Sequence, residues 1–236
     1  MTAALTLPTS AAARDLATFV GRAQQLDGAG SIRLIADSGV LAAYVAVVVP
    51  KGLLDRGPTV LGLRTLALAA GECDAVVPLA SFAARLERAG APVAAFSDVQ
   101  STSIATEAEG PVDVGIPAST PSVVWSGIAP PRGGWSRLAP LPAELLGRVA
   151  REGAAEVAQA VPDAVGQHIV DRVRAEVWGR PIPEAEHVPA GAAFAAHALG
   201  FLGDDDVQQF ASGSWLRLTT KRGHVLVKQG AWTLGR

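Results

Sequence analysis

The sequence is poor in the residues that announce chemistry. It has a single cysteine, Cys73, and four histidines in 236 residues. One thiol forms no internal disulfide and no multi-cysteine zinc site. The acidic neighbours in Gly71-Glu72-Cys73-Asp74 disfavour a thiolate, so Cys73 reads as structural. Lysine is as scarce, with Lys51, Lys221 and Lys228 alone. A net charge of −2 gives the whole molecule no pull toward nucleic acid or an anionic membrane. The longest apolar runs, Val40–Pro50 and Pro189–Gly203, fall short of the ~20 residues of a spanning helix. No basic residue precedes Arg14, so the N-terminus does not read as a signal peptide. The expectation is a cytoplasmic protein with no membrane partner.

Catalytic and nucleotide motifs are missing too. Lys51-Gly52 lacks the glycine spacing of a phosphate loop, and Gly28-Ala29-Gly30 precedes a strand instead of opening a helix. There is no His-Glu-x-x-His pair and no Gly-x-Ser-x-Gly elbow. No catalytic residue, metal ligand or cofactor is assigned. His197 lies three residues after Phe194 and four before Phe201, which reads as a packed core histidine. Asp204, Asp205 and Asp206 read as the start of a helix, where negative charge is favourable. Glu184, Glu186 and His187 sit between prolines and read as a solvated loop.

What is present is a globular composition, 49% hydrophobic and 18% charged. A chain this long buries roughly 70% of its unfolded surface and needs no staple. Thr9 or Ser10 caps a first helix carrying Leu16, Phe19, Val20, Ala23 and Leu26 at helical spacing. Ser31–Ala36 and Val40–Val49 read as a hairpin across Asp37-Ser38-Gly39. Thr59–Ala69 is a third strand. Leu79–Ala89 is a helix that buries Leu79, Phe82, Ala83 and Leu86. Val93–Phe96 and Ser101–Thr106 read as further strands.

Seven prolines between Pro111 and Pro142 block long regular elements there. All five tryptophans and all four histidines lie from Trp125 onward. The expected organisation is an N-terminal domain over 1–118, a Pro-rich linker over 119–141 and a C-terminal domain over 142–236. In the last, helices beginning at Pro142 and Asp163 precede helix Ala190–Leu202. A short helix from Asp204 to Phe210 follows, and a hairpin of Trp215–Thr220 and Val225–Lys228 closes the domain. The fold class is α+β: an N-terminal α/β-hairpin domain with a mixed or antiparallel sheet, then a mainly helical domain ending in a hairpin, with a winged-helix form open to it.

Seventeen arginines against three lysines, with abundant alanine, is the texture of a GC-rich genome. In that texture, and in no diagnostic motif, the chain resembles the hypothetical proteins of unassigned function that recur in actinobacteria. The resemblance implies no activity and transfers no site residue.

One echo runs at a constant offset. Gln24-Gln25-Leu26, Ile32-Arg33-Leu34 and Gly39 recur as Gln208-Gln209-Phe210, Leu216-Arg217-Leu218 and Gly223. It reads as two helix-then-hairpin units, by convergent turn chemistry ahead of an old duplication.

Two segments stand out as sites. Trp125 and Trp135 flank a Pro-Pro pair, Arg132 and glycines, and tryptophan and arginine are enriched at interface hot spots. The alternative is that both rings pin the linker. From Ser214 onward Arg217, Lys221, Arg222, Lys228 and Arg236 stand with no acid. The first four would be the contacts of a nucleic-acid-binding wing, although Asp204–Asp206 would repel phosphates at the recognition helix. The favoured reading is a non-enzymatic protein acting by protein–protein interaction or self-association as a homodimer. An enzyme or small-ligand binder with a site between the halves, near Arg132 and Trp135, is the second reading. Nucleic-acid binding through the C-terminal hairpin is the third.

Overall fold

The computed structural model describes residues 4–52, 55–91, 93, 110–119, 123–160 and 166–230. The chain divides into two compact units. Unit 1 holds Met1–Val45 and Leu63–Gly127, and unit 2 holds Ala46–Gly62 and Ile128–Arg236. The fold is mixed α and β, and the described strand registers are antiparallel.

Unit 1 begins with β1 (Ala4–Leu7) and α1 (Ser10–Leu26). Thr9 caps α1, its Oγ1 accepting from the Ala12 amide at 3.1 Å. The helix buries Leu16, Phe19, Val20 and Ala23, as their spacing requires. Strands β2 (Ser31–Asp37) and β3 (Val40–Val48) form the expected hairpin. Its register pairs Ile32 with Val45, Leu34 with Ala43 and Ala36 with Leu41, so one face is wholly buried. Ser38 and Gly39 turn the chain with φ of 51° and 76°, which suits a two-residue hairpin loop. β4 (Thr59–Ala67) and β5 (Cys73–Pro78) complete the strand order β5-β2-β3-β4. α2 (Leu79–Arg88) buries Leu79, Phe82, Ala83 and Leu86, the face expected of it. β6 (Val112–Gly115) pairs with β1, from Ala4 opposite Gly115 to Leu7 opposite Val112. These two four-residue strands are too short to carry a periodic signal. Ser101–Thr106 lies outside the described residues, as does Val93–Phe96 beyond Val93, which is irregular.

Unit 2 takes the end of β3 and the start of β4. It adds β7 (Ser136–Leu141), α3 (Ala143–Ala160), α4 (Gln167–Gly179), β8 (Pro181–Ile182), β9 (Ala185–Pro189), α5 (Ala190–Ala198), β10 (Val207–Ser212), β11 (Trp215–Thr220) and β12 (Gly223–Lys228). Its strand order runs β4-β12-β11-β10-β7. Trp178 anchors the helical side. It is 2% exposed, stacks on Phe194 at 4.2 Å and packs with Val48, Val149 and Val173. A Cβ at Gly153 would lie 2.5 Å from its ring, so only glycine leaves room for the indole.

Several expectations give way here. Segment 204–210 is strand β10 for its last four residues and irregular before that. Val207 and Gln209 are buried while Gln208 and Phe210 are half-buried, a period of two that the aspartate run disguised. The winged-helix form needs a helix at that point, so it is not made. The terminal hairpin is two strands of a larger sheet, and the C-terminal half is not mainly helical. Strand β7 lies inside the expected linker. It sits at the sheet edge, where Pro140 is tolerated. The helix expected to reach Leu202 ends at Ala198, followed by Gly200 at φ 68°. Asp163, the expected cap of the preceding helix, lies outside the described residues. The echo is no repeated helix-then-hairpin unit, because Gln24-Gln25-Leu26 ends α1 whereas Gln208-Gln209-Phe210 is strand.

Candidate functional site

Strand alternation decides which side chains meet on unit 2's sheet. Leu216 and Leu218 of β11, Val225 and Val227 of β12 and Val207 and Gln209 of β10 form one buried face. The opposite face therefore carries Trp215, Arg217 and Thr219 of β11, Phe210 of β10, Arg137 of β7 and Lys228 of β12. Register sets Arg217 opposite Phe210, Phe210 opposite Arg137 and Trp215 opposite Lys228.

Arg217 is the centre of this face. Its guanidinium carbon lies 4.5 Å from the Phe210 ring centroid and 4.6 Å from that of Trp135. Trp135 precedes β7 and is fixed by its own indole N–H, which donates to the Pro131 carbonyl at 3.1 Å. The proline pair thus anchors the ring that covers the arginine. Cation–π contacts contribute about 0.5–2 kcal/mol each, more as water is excluded. They supply no acceptor to the Arg217 N–H groups. Arg217 Nε is buried without a hydrogen-bond partner, and no carboxylate pairs with Arg217 among the described residues. Burial pushes the guanidinium below its ordinary pKa. The group is a half-buried, ring-clamped cation whose Nε has a donor to spare.

The other expected site residues are dispersed. Trp125 is half-buried in a 3-10 turn over Val124–Gly127, in unit 1, where the neighbouring Ser126 carbonyl accepts from Arg33. Arg132 and Trp135 belong to unit 2, Arg132 exposed. Of the basic tail, Arg217 and Lys228 share the face just described. Lys221 and Arg222 form the β11–β12 turn instead. Lys221 pairs with Asp205 at 2.7 Å, and Arg222 donates to the Leu202 carbonyl at 2.9 Å. One of the three aspartates expected to cap a helix, Asp205, thus neutralises a lysine.

His197 is exposed, contrary to the core reading, because α5 turns its alanine face inward. Glu184 pairs with Arg148 at 2.9 Å, and His187 shares a hydrogen bond with the buried Gln209 at 2.9 Å. Glu186 and His187 are strand residues of β9, not loop, and as neighbours they point to opposite sides. Cys73 is half-buried, its thiol donating to the Leu34 carbonyl at 3.5 Å. Burial is the main cause that pushes it up, with Asp74 adding to the effect and a backbone hydrogen bond opposing it. No group of His, Cys, Asp and Glu among the described residues is arranged to hold a metal ion, and no described helix is long and apolar enough to cross a membrane. Sequence reasoning missed Phe210 and Arg137. Their signal was available only once β10 was known to be a strand beside β11.

Among solved structures, the DNA polymerase sliding clamp from Caulobacter crescentus is 13% identical with a TM-score of 0.43, over 99% of this chain and 69% of that one. The DNA polymerase III subunit beta from Pseudomonas aeruginosa is 11% identical with a TM-score of 0.44, over 99% and 66%. The chain spans about two thirds of the length of these structures. No curated protein matches it. Residues 1–116 match the family model described as Domain of unknown function (DUF8010), and residues 130–232 match the one described as Domain of unknown function (DUF8185).

Proposed function

We propose that this is a non-catalytic binding protein that docks another protein, or a second copy of itself, through the Arg217 face of unit 2. The observation that carries the reading is the Arg217 guanidinium held between Trp135 and Phe210 with no carboxylate partner among the described residues. Desolvating a cation is costly, and here that cost is met during folding and not during binding. A partner carboxylate arriving beside the rings would satisfy the spare donors in a charge-assisted, bidentate pair. Arginine and tryptophan packed in this way are the usual anchors of an interface. The two-part organisation expected from the sequence, 1–118 and 142–236 about a Pro-rich segment, is kept as part of this proposal, supported by the matched ranges 1–116 and 130–232.

Nucleic acid ranks below a protein partner. Two of the four basic residues proposed for it are engaged, Lys221 by Asp205 and Arg222 by Leu202. Phosphate neutralisation needs several free cations along a track.

The test is sedimentation of wild type and Arg217→Ala at micromolar concentration, with a parallel titration of peptides carrying an aspartate or glutamate beside an aromatic residue. Self-association or peptide binding that weakens about tenfold or more in the variant supports the reading. A strictly monomeric protein that binds no such peptide overturns it. Retardation of DNA at low salt that Arg217→Ala abolishes replaces it with the nucleic-acid reading.

A further inference from the structure

Two successive glutamines of β10 stand where its neighbour β7 departs from regular pairing. Val207 pairs with Leu141 and Gln209 with Leu138, so β7 advances three residues while β10 advances two. Ala139 and Pro140 therefore face Gln208 together, which is a β-bulge. Pro140 has no N–H to give a ladder, so the backbone beside it needs other partners. Gln209 is one of them, its Nε2 donating to the Ala139 carbonyl at 2.6 Å. On the other face of β10, Gln208 Oε1 accepts from Arg137 Nη2. Because neighbouring side chains alternate across a strand, the bulge is held from both faces.

Gln209 is 2% exposed, on the buried face it shares with Val207. An unpaired amide there would be costly, so both of its ends need partners. A carbonyl only accepts, which assigns the amide nitrogen to Ala139 and leaves the amide oxygen for His187. His187 Nε2 lies 2.9 Å from that oxygen and must donate to it, so Nε2 carries the proton. His187 is held in its turn, because Gln229 Nε2 donates to its carbonyl at 2.9 Å. One line of hydrogen bonds thus ties the edge strand β7 to β9 and to the residue that follows β12.

On the docking reading of the Arg217 face, we infer that Gln209 and His187 are positioning residues for it. They pin the register of β7 and so hold Trp135 and Arg137 against Arg217 and Phe210. Trp135 directly precedes β7, and Arg137 lies opposite Phe210. A slip of one residue would turn every β7 side chain to the other face, taking Arg137 toward the core. It would also carry Trp135 roughly 3.3 Å along the strand, off the guanidinium. An apolar side chain at 209 would fill the same space and leave that slip unopposed. The buried amide therefore serves pairing specificity, a use known for polar groups kept inside apolar cores.

The experiment follows the Trp135 indole N–H and the exchange of the β7 amides by NMR, beside the docking assay, in three variants of the full chain. Gln209→Leu is expected to keep its circular dichroism spectrum and denaturation midpoint. Its β7 amides exchange about fivefold or more faster, its Trp135 resonance moves, and docking weakens by a similar factor. His187→Gln sets an amide donor where Nε2 stands and matches wild type in every readout. His187→Asn sets the donor near the place of Nδ1, out of reach of Gln209, and behaves as Gln209→Leu does. An unmoved indole resonance with unchanged β7 exchange in Gln209→Leu overturns the inference. So does identical behaviour of the two His187 variants, which also decides the matter should Gln209→Leu not fold. A displaced Trp135 in a protein whose wild type docks nothing supports the register pin and removes the docking reading instead.

Discussion

Arg33 and Arg217 occupy the same place in the echo, each the central residue of an apolar-arginine-apolar strand that opens a hairpin. The two units treat them in opposite ways. In unit 1 Arg33 reaches Asp74 on the neighbouring strand β5 with two bonds of 2.9 Å, and it also donates to the Ser126 carbonyl. In unit 2 the neighbouring strand β10 offers Phe210 where an acid could stand. The first arginine is a closed structural pair. The second has no anionic partner among the described residues. One motif, with different residues across the ladder, yields a brace in one case and a candidate site in the other.

The glycines of the echo divide in the same way, and they offer the largest test. Gly223→Ala places a Cβ 2.5 Å from the Phe201 ring and is expected to cost about 2–3 kcal/mol by overpacking. Gly39→Ala meets only Leu68 O at 3.7 Å, so its cost comes from a φ of 76° and is about 1 kcal/mol. Urea denaturation of both variants orders them, and equal losses would break the contrast.

The arginines come next. Arg33→Met removes a bidentate pair and is expected to cost about 1 kcal/mol. Arg217→Met removes a desolvated cation whose Nε already lacks a partner, so stability stays within about 0.5 kcal/mol or rises. The same substitution abolishes docking. Denaturation midpoints with the sedimentation assay check both halves of that statement. A smaller effect is expected for Phe210→Leu, which keeps an apolar neighbour and loses one cation–π contact, at about 0.5 kcal/mol.

The smallest effect is a pH dependence. The hydrogen bond from Arg33, aided by its charge and opposed by burial, holds the Asp74 carboxyl below its ordinary value. A carboxylate lowered in the folded state stabilises fully above its unfolded pKa of about 4 and loses that contribution as pH falls through the lowered value. The Asp74 side chain is 58% exposed, so solvent screening keeps the gain to about 0.3 kcal/mol. The stability gap between wild type and Asp74→Asn should thus be present near neutrality and close as the medium becomes strongly acidic. A gap that widens toward acid would refute the assignment.

How much the sequence disclosed depends on where neighbours came from. α1, α2 and the β2–β3 hairpin were legible because capping, helical spacing and a two-residue turn are local. β7 was hidden by Pro140, which only its edge position makes tolerable. β10 was hidden by three aspartates that imitate a helix start. The candidate site was legible as ingredients: Trp135 and Arg217 were both singled out. They were assigned to different readings, since nothing local says that a residue before β7 will lie on a residue of β11. Register, not motif, joins them. Trp125 was grouped with Trp135 by proximity along the chain, and the fold assigns the two to different units.

Unit 2 begins in the middle of unit 1's sequence. Ala46–Gly62 belongs to it, and from that stretch Val48 packs against the Trp178 cluster while Pro58 lies beside Gly179. A ribosome therefore releases part of the second core before the first unit is complete, and that part must wait for Trp178 and Ala190 to be made. Severing the gene anywhere in the Pro-rich stretch would give a C-terminal fragment lacking a piece of its own interior. Such a fragment should recover its fold only when 46–62 is supplied again, in trans or by circular permutation.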